Sequence, residues 1–434
     1  MAIKNLNTGG ASGVLFTDRR DFYIDPNVTK ELWTDVTPFT TLVSNKETRQ
    51  TNDPVFKMFE HRNPWVKQYW KSNGDTDELK VDNTTETEVT VNDASNLVID
   101  SSLVGIQAEV WSDGYASKKG VVVVTAVNSS TVLKVKTIMT TSGSDTALQD
   151  DDIFLVIGNA QGEGTTSPEA WSDELKVVYN STQIFKTPLE ITGSLLQASL
   201  RGESSELARL RVMKGQEHKM QKEKAFLFGA RVGGTNLGGG DGAMADGGIT
   251  DADSKKIRTT YGIISAIEKY GYASGDDQNK FTIGDSYTYS NFVDHMEKVF
   301  QYVPEAGVKQ AFCGAGALGY FSKMDGTNGI AGKSGWTDNL SDMKRDALGF
   351  NYKALETPHG ILQLIPTPAL RGPYSKTMLV IDDSNMFHAQ YRNQMYQTNI
   401  KTENAYDGVK DQYMSDEGIG ITLIESHNLF TITA

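Results

Sequence analysis

The sequence predicts an α+β protein whose β structure is concentrated in the first half of the chain. Residues before position 192 are mostly β-prone, residues 192–228 follow one long and heavily charged helical pattern, and residues after 255 alternate between amphipathic helices and short strands. Such a helix can bury only a narrow apolar stripe, so the rest of its surface faces solvent or another subunit. This order of elements is unusual for an enzyme and favours a protein that assembles with other subunits.

Length, charge and cysteine content limit the possibilities. The chain has 434 residues, more than one hydrophobic core normally serves, so we expect two or three domains. Its net charge of −13 argues against an extensive phosphate-binding surface, since such surfaces collect Lys and Arg. Cys313 is the only cysteine, which excludes an intramolecular disulfide and favours synthesis in a reducing compartment.

The sequence carries no obvious targeting or membrane signal. The N-terminal segment MAIKNLNTGGASGVLF lacks the apolar stretch of a signal peptide. The longest apolar runs, such as Val121–Val124, are far too short to span a bilayer. We therefore expect a soluble protein that is made inside the cell.

Residues 1–48 are predicted to form an extended arm. Pro26 and Pro38 interrupt any regular periodicity, and one short helix fits between them. A segment of this length is costly to order unless it packs against something. Several of its residues are apolar and suited to such packing, namely Leu32, Trp33, Phe39, Leu42 and Val43.

Two β-prone stretches, Val55–Trp70 and Leu175–Phe185, are predicted to pair as a ribbon. Between them, residues 82–159 contain several strands of five to eight residues separated by Asn, Ser, Gly and Asp turns. This pattern predicts a small β-barrel or sandwich. Because both ends of the block return to one ribbon, we interpret it as a domain inserted at a loop tip.

The charged helix has a predicted inner stripe and a predicted outer face. The stripe recurs at steps of three or four residues and should pack on a sheet that includes the C-terminal strands; it comprises Leu200, Leu207, Leu210 and Met213. Charged side chains off that stripe could face neighbouring subunits; they are Glu203, Glu206, Arg209 and Arg211.

A glycine-rich loop and an α/β region follow. Nine of the twenty residues from 229 to 248 are glycine, which is typical of a mobile loop or one with several positive φ angles. Beyond it, amphipathic patterns predict helices at Ile257–Tyr270 and Tyr289–Val303, the second ended by Pro304. Short strands are predicted at Lys309–Cys313, Ile361–Pro366, Thr377–Ile381 and Gly418–Ile424.

Two glycine motifs invite a nucleotide-binding interpretation, which the surrounding sequence does not favour. Gly314, Gly316 and Gly319 match G-x-G-x-x-G after a strand, but no second apolar strand with an acidic residue follows. A tight turn is the better interpretation. The second motif resembles the end of a phosphate-binding loop, but its first required glycine is replaced by Thr327, so a solvated loop is favoured; it comprises Gly329, Gly332, Lys333 and Ser334.

Other residues with possible chemistry are scattered. The histidines lack i, i+4 pairing and nearby acidic ligands, which argues against a metal site; they are His61, His218, His295, His359, His388 and His427. Cys313 has apolar neighbours and is interpreted as a buried structural thiol. The acidic run Gln149–Asp152 lacks calcium-loop spacing and is interpreted as a solvated turn. The sequence therefore predicts no catalytic, cofactor-binding or metal-binding residue.

The order of elements resembles that of tailed-bacteriophage major capsid proteins of the HK-97-type fold. More narrowly, the chain is similar to members of this group with an extra β-domain in the extended loop. The resemblance covers nearly the whole chain, and the order of elements carries it. The matching stretches are Thr37–Ser44, the block from VTVNDASN to DDIFLVIGNA, and the segment EAWSDELKVVYNSTQIFKTPLEITG before the long helix.

The resemblance implies a division into arm, loop and two main domains. The implied segments are an N-terminal arm at 1–48, an extended loop at 49–81 and 160–186, an inserted β-domain at 82–159, a peripheral domain with the spine helix at 187–232 and 400–434, a glycine-rich loop at 233–254, and an axial domain at 255–399. A shell buries its stabilising area between subunits, so ribbons and arms that add little to a monomer become useful in contacts with neighbours.

The same resemblance implies a function and its partners. The chain would assemble as pentamers and hexamers into an icosahedral phage head that encloses double-stranded DNA without sequence-specific binding. It would be made in the host bacterial cytoplasm and end in the virion. Further partners would be a portal, a decoration or cement protein, and a separate scaffolding protein or none, because the arm lacks the long cleavable scaffolding segment of the founding member.

Two alternatives come from other classes of protein. A different self-assembling virion or surface-layer protein, such as a tail-tube subunit, would be mostly β throughout, which the helical pattern at 192–228 disfavours. A nucleotide-dependent enzyme is the more remote alternative, because the glycine motifs lack the flanking strands that such a site needs.

Overall fold

The structure is a computed structural model that describes residues 37–61, 69–73, 78–95, 99–165, 167, 175–198, 205–231, 249–275, 277–284, 287–302, 307–323, 344–345, 351–400 and 407–433. The chain divides into two compact units, Met1–Phe59 with Val177–Ala434, and Glu60–Lys176. The first 36 residues, most of the glycine-rich loop and the Gly329–Ser334 motif lie outside the described residues. Helices and strands are both well represented, so the predicted α+β class is confirmed.

The described helices differ in length and in composition. Short 3₁₀ turns occur at Ser101–Leu103, Asp113–Tyr115, Gly372–Tyr374, Asp383–Asn385 and Ile424–Ser426. The α-helices are α1 (Pro38–Asn45), α2 (Gly193–Gln197), α3 (Glu206–Phe228), α4 (Ile263–Tyr270), α5 (Tyr289–Phe300) and α6 (Ala315–Lys323).

The strands form one barrel and several open sheets. In chain order they are β1 (Thr48–Gln50), β2 (Val55–Glu60), β3 (Tyr69–Asn73), β4 (Glu78–Leu79), β5 (Glu86–Ser95), β6 (Ile106–Trp111), β7 (Lys118–Ser129), β8 (Val132–Thr140), β9 (Thr146–Ala147), β10 (Asp150–Asn159), β11 (Lys176–Ser181), β12 (Gln183–Thr192), β13 (Lys280–Ile283), β14 (Val308–Cys313), β15 (Lys344–Arg345), β16 (Asn351–Thr357), β17 (Gly360–Pro366), β18 (Thr377–Ile381), β19 (Met386–Gln397), β20 (Gly408–Ile421) and β21 (Asn428–Ile432).

The unit Glu60–Lys176 contains a closed barrel with the strand order β10-β3-β5-β8-β7-β6. Alternate residues of its strands point inward, as Gly120, Val122 and Val124 do on β7. Gly120 permits close contact between β7 and β8, because a Cβ there would lie 2.6 Å from the carbonyl oxygen of Met139. The barrel is filled by Trp70, Leu79, Val89, Leu103, Ala108, Val110, Val122, Val124, Leu133, Val135, Leu148 and Phe154.

Two details of the barrel differ from the sequence interpretation. Strand β3 lies before residue 82, yet it pairs with β5 and β10 and so completes the barrel. Asp152 is fully buried and pairs with Lys119 at 2.5 Å, so the interpretation of Gln149–Asp152 as a solvated turn is wrong for Asp152. Asp151 accounts for the difference between the expected and the observed position of Asp152, because its positive φ of 63° turns the chain just before that residue.

A four-stranded sheet with the order β1-β19-β20-β12 forms the platform for α3. Strands β12 and β20 pair over ten residues from Gln183 to Thr192, and β1 joins β19 in parallel. Strands β2 and β11 form a separate two-stranded ribbon, which agrees with the expected pairing for these parts of the two stretches, whereas Trp70 and Phe185 lie on β3 and β12, which pair with other strands. The chain leaves the first unit at the end of β2 and returns to it at β11.

Helix α3 is shorter than the helical pattern in the sequence. Its first turn is capped by Ser205, whose side chain accepts a hydrogen bond from the amide of Ala208. The prediction of one continuous helix from residue 192 is wrong, because Ala198 ends α2 with an extended backbone. Ser205, which precedes α3, also has an extended backbone, so the two helices are separate and the charge pattern overestimated the length of α3.

The seven-stranded sheet has the order β13-β21-β18-β14-β17-β16-β15. One apolar core contains Phe312, Leu379 and Ile381 together with α1, α4 and part of α3, and another contains Ala311, Val380 and Phe430 together with α5. Helix α4 begins at Ile263 rather than at Ile257, which is 40% exposed.

The two sheets draw strands from both of the segments that the sequence analysis assigned to the peripheral and axial domains. Strand β19 pairs with β20 in the four-stranded sheet, and β21 pairs with β18 in the seven-stranded sheet. The predicted strands Lys309–Cys313, Ile361–Pro366 and Thr377–Ile381 are present to within one residue. The last predicted strand, Gly418–Ile424, is instead the end of β20 followed by a 3₁₀ turn.

Candidate assembly surfaces and the polar attachment of the long helix

The G-x-G-x-x-G motif lies at a strand-to-helix turn, with β14 ending at Cys313 and α6 starting at Ala315. The amide of Ala317 donates a 2.9 Å hydrogen bond to the carbonyl of Ser375. A Cβ on Gly314 would collide with the same carbonyl, so glycine is needed for close backbone packing. The turn interpretation therefore has a direct structural cause.

The histidines are separated from one another, and each buried one has its own polar partner. His218 contacts Thr187 and Ser415, and His388 contacts Glu417. His295 contacts Tyr287, and the Nδ1 of His427 accepts a hydrogen bond from the amide of Asp382. His61 and His359 are exposed. Among the described residues, no group of three or more His, Cys, Asp or Glu side chains could hold a metal ion.

Cys313 is fully buried beside the apolar residues of the second core. Burial raises the pKa of its thiol well above the ordinary value, because the thiolate would be poorly solvated there. A thiol in this state is a poor nucleophile at neutral pH. This agrees with the interpretation of Cys313 as a structural residue.

The buried face of α3 is polar over much of its length. Its buried residues are His218, Lys222, Glu223, Phe226 and Leu227. Buried charged groups need partners, since transfer of an unpaired charge from water is very costly. Lys222 meets this requirement by donating to Gln394 at 2.8 Å and to Glu417 at 3.4 Å.

Strand β20 supplies the carboxylates that pair with Lys222 and with two arginines, Arg258 and Arg392. Glu417 contacts Lys222 and His388, and Asp416 accepts from Arg258 at 3.1 Å and from Arg392 at 3.2 Å. Burial raises the pKa of Glu417, but hydrogen bonding to His388 and the charge of Lys222 outweigh it, so the pKa is lowered. The carboxylate therefore stays ionised inside the subunit.

Arg211 belongs to the same attachment. It pairs with the buried Asp411 of β20 at 3.0 Å, and its carbonyl accepts a hydrogen bond from the hydroxyl of Tyr413. The guanidinium of Arg211 therefore holds its own sheet, and because its side chain is still 40% exposed, its contact with a neighbouring subunit stays a prediction. Arg209 instead pairs with Glu206 along the helix surface, and Glu203 lies outside the described residues.

The predicted apolar stripe of α3 is only half-buried within the subunit. Leu207, Leu210 and Met213 are all of intermediate exposure, and Val212 nearby is 62% exposed. Leu200 lies outside the described residues. The stripe is thus less buried than the residues from His218 onward, which include all the fully buried side chains of α3. The first half of α3 therefore presents apolar surface that remains partly exposed among the residues that the structure describes.

The β2–β11 ribbon also exposes large apolar side chains. Phe59 is 71% exposed and Val177 is 38% exposed, whereas Phe56, Met58 and Val178 pack against Phe387 and Ala389 on the other side. Single apolar residues on a protein surface are common. In the ribbon, however, Phe59 and Val177 lie on the side opposite a packed core, so both faces of the ribbon carry apolar side chains. Both the ribbon and the first half of α3 are therefore candidate assembly surfaces. In the sequence, only helix propensity and the alternation of polar and apolar residues indicate these two surfaces.

Comparison with known proteins identifies the family. The sequence model of the SU10 major capsid protein family matches residues 23–419. The chain belongs to this family. It is therefore a major capsid protein, a coat protein of tailed-phage virions that builds icosahedral capsids by association with copies of itself. The resemblance stated from the order of elements is confirmed.

Solved capsid structures are similar to this major capsid protein at low sequence identity. The capsid of the native GTA particle has a TM-score of 0.46 and 10% identity and covers 100% of both chains. The capsid of cyanophage P-SCSP1u has a TM-score of 0.35 and 8% identity, over 64% of this chain and 81% of that one. The mature capsid of bacteriophage PhiM1 has a TM-score of 0.39 and 9% identity, over 64% and 79%. No curated protein matches the coat protein in sequence.

None of the helices in the described part of the coat protein is long and apolar enough to span a membrane.

Proposed function

We propose that the coat protein forms pentamers and hexamers that close into a head around double-stranded DNA. The observation that carries this proposal is the exposed apolar side of the β2–β11 ribbon, with Phe59 71% exposed. Burying such side chains against other copies removes apolar area from water and so favours association. The half-buried stripe on the first half of α3 offers a second surface of the same kind.

The proposal includes the domain division and the partners. The barrel unit, Glu60–Lys176, acts as the insertion in the extended loop, and the arm and ribbon reach neighbouring subunits. A separate scaffolding protein, a portal and a decoration protein complete the head, and the chain is synthesised in the host cytoplasm. The protein acts without catalysis or a cofactor. Its net charge of −13 supports enclosure of DNA without tight binding.

Electron microscopy of the purified protein, combined with sedimentation, tests the assembly. We expect closed shells from the unaltered chain and loss of shells in the double variant Phe59→Ser, Val177→Ser. The matched control is Ile138→Ser on the barrel, which removes an apolar side chain that is 51% exposed elsewhere. Thermal unfolding shows whether each variant is folded. Normal shells from the folded double variant would remove the ribbon from the proposal, and tubes or sheets from the unaltered chain would contradict the head itself.

A further inference from the structure

The segment 37–50 joins the arm to the folded core, and it is attached to that core at two separate points. We call this segment, which contains α1 and β1, the arm root. The first attachment is at the N-terminus of α1 and the second is at β1. Helix α1 packs in an apolar core and β1 pairs with β19 through the backbone, and each attachment also includes a polar side chain whose partner lies more than 180 residues away in sequence.

The first attachment uses Glu223 of α3. Its carboxylate accepts hydrogen bonds from the amides of Phe39 at 3.2 Å and Thr40 at 2.5 Å, and from the Thr40 hydroxyl at 2.7 Å. Helix α1 has no side-chain cap of its own at Thr37. Glu223 therefore performs the role of an N-cap from a distant element, satisfying amides that the helix leaves unpaired. Glu223 is fully buried, so water cannot easily replace it.

The second attachment links β1, through β19 and β20, to Lys222, the residue next to Glu223 on α3. The hydroxyl of Thr48 lies 3.3 Å from Nδ1 of His388, and the His388 amide donates to the carbonyl of Glu47. Nε2 of His388 lies 3.2 Å from Glu417, whose same oxygen accepts from Lys222. A continuous polar chain therefore connects β1 to Lys222.

Lys222 and Glu223 are consecutive residues on α3, and they point about 100° apart around the helix axis. A rotation or an axial shift of α3 moves both side chains together. The connection from Lys222 to β1 and the cap from Glu223 to α1 would then be lost in one movement. Conversely, undocking of the arm root removes the partners of Glu223 and loosens the packing around His388.

We propose that Lys222 and Glu223 form a latch that couples the rotational position of α3 to docking of the arm root. While the arm root is docked, α3 is held in one register. When α3 turns, the arm root loses the polar contacts that support both of its attachments. The latch is a property of the single subunit, so its test does not depend on the shell geometry proposed above. Coupling of this kind is a free energy shared between two sites and acts in both directions.

Hydrogen exchange of the full-length, unassembled protein tests the latch, because exchange reports local opening of each attachment. Thr48→Val removes only a hydroxyl at the exposed end of the polar chain. Lys222→Met removes the cation, and Lys224→Met is the matched control because Lys224 is an exposed neighbour on the same helix. Cooperative thermal unfolding serves as the criterion that each variant remains folded.

The latch predicts an effect on the attachment that was not altered. In Thr48→Val and in Lys222→Met, the peptide that contains Phe39 and Thr40 should exchange about tenfold faster, which corresponds to the loss of about one hydrogen bond to a charged group. In Glu223→Gln, the peptide that contains residues 46–51 should exchange faster in the same way. Lys224→Met should change neither peptide. If each variant accelerates exchange only at its own attachment, the two attachments are independent and the latch is refuted.

Discussion

Trp70 stacks on Phe154 inside the barrel, with ring centroids 5.3 Å apart and planes inclined by 15°. The two rings lie on β3 and β10, which pair directly through Trp70 and Phe154. Both side chains are fully buried. The barrel therefore depends on a strand that precedes the inserted domain as it was defined from the sequence.

A fragment of residues 60–176 should fold on its own, whereas a fragment of residues 82–159 should not. The shorter fragment lacks β3 and hence one wall of the closed barrel. Trp70→Ala in the longer fragment should lower the free energy of unfolding by about 3–5 kcal/mol, as for other large-to-small core substitutions. Circular dichroism during thermal unfolding checks both expectations. A cooperative transition in the shorter fragment would show that β3 is dispensable.

Exchange of charge between Glu206 and Arg209 should alter assembly while leaving the subunit folded. The double variant Glu206→Arg, Arg209→Glu keeps an ion pair at i, i+3 but places the cation in the first turn of α3, so we expect a loss of less than about 1 kcal/mol. Shell yield, measured by sedimentation, should fall because the charge pattern of the exposed face is reversed. Unchanged yield in a folded variant would exclude this face from subunit contacts.

Stability should fall as the pH drops from about 6.5 towards 4, and His218 should account for part of the loss. Burial, followed by the charge of Lys222, lowers the pKa of His218 to about 4. The unfolded chain therefore binds this proton first, and the stability present above pH 6.5 is lost as the pH falls, by up to roughly 3 kcal/mol. Urea unfolding at several pH values should show a shallower dependence for His218→Gln. His427, whose pKa is also lowered to about 4, should account for the pH dependence of stability that remains in this variant.

Stability should rise as the pH increases from about 8 to about 10 because of Lys309. Burial lowers the pKa of this lysine to about 8, while its ammonium donates to the carbonyl of Ser426 at 2.6 Å. In this range the unfolded chain binds more protons than the folded one, so raising the pH favours folding. Lys309→Met should flatten the dependence in urea unfolding. The exposed Lys219 gives a control substitution that should leave the slope unchanged.

The unassembled protein should not retain duplex DNA near 0.15 M salt. Binding to duplex DNA scales with the number of phosphates that Lys and Arg neutralise, and this chain carries 55 acidic against 42 basic residues. Only Lys4 is basic among the first 18 residues. A gel-shift titration should show no complex, and micromolar binding that weakens with salt would contradict the proposed enclosure of DNA without tight binding.

The sequence allowed the strands to be located more reliably than the contacts of the long helix. Thr377–Ile381 and the strands around Val122 were recognisable because β-branched residues form short runs between turn residues. The helical pattern before Glu206 was misleading because charge and helix propensity describe local preference only. The sequence analysis assigned Trp70 to the ribbon and missed its place in the barrel, because β3 is paired there with strands farther along the chain.

The polar face of α3 had no signal in the sequence. A Lys and a Glu next to each other on a charged helix are normally both solvated, and only the fold reveals that Lys222 and Glu223 are buried. Their partners, Glu417 and Thr40, lie on other elements and are separated from them by 195 and 183 residues. The same reason explains why the ion pair between Arg211 and Asp411 was not predicted.

The paired strands β2 and β11 receive both ends of the barrel unit. Entry and exit points that lie side by side allow one domain to be exchanged for another without stretching the rest of the chain. Replacement of residues 60–176 by a foreign domain with adjacent termini should therefore leave the rest of the subunit folded. Each subunit would then carry one foreign domain, and the number of foreign domains per particle would equal the number of subunits in the shell.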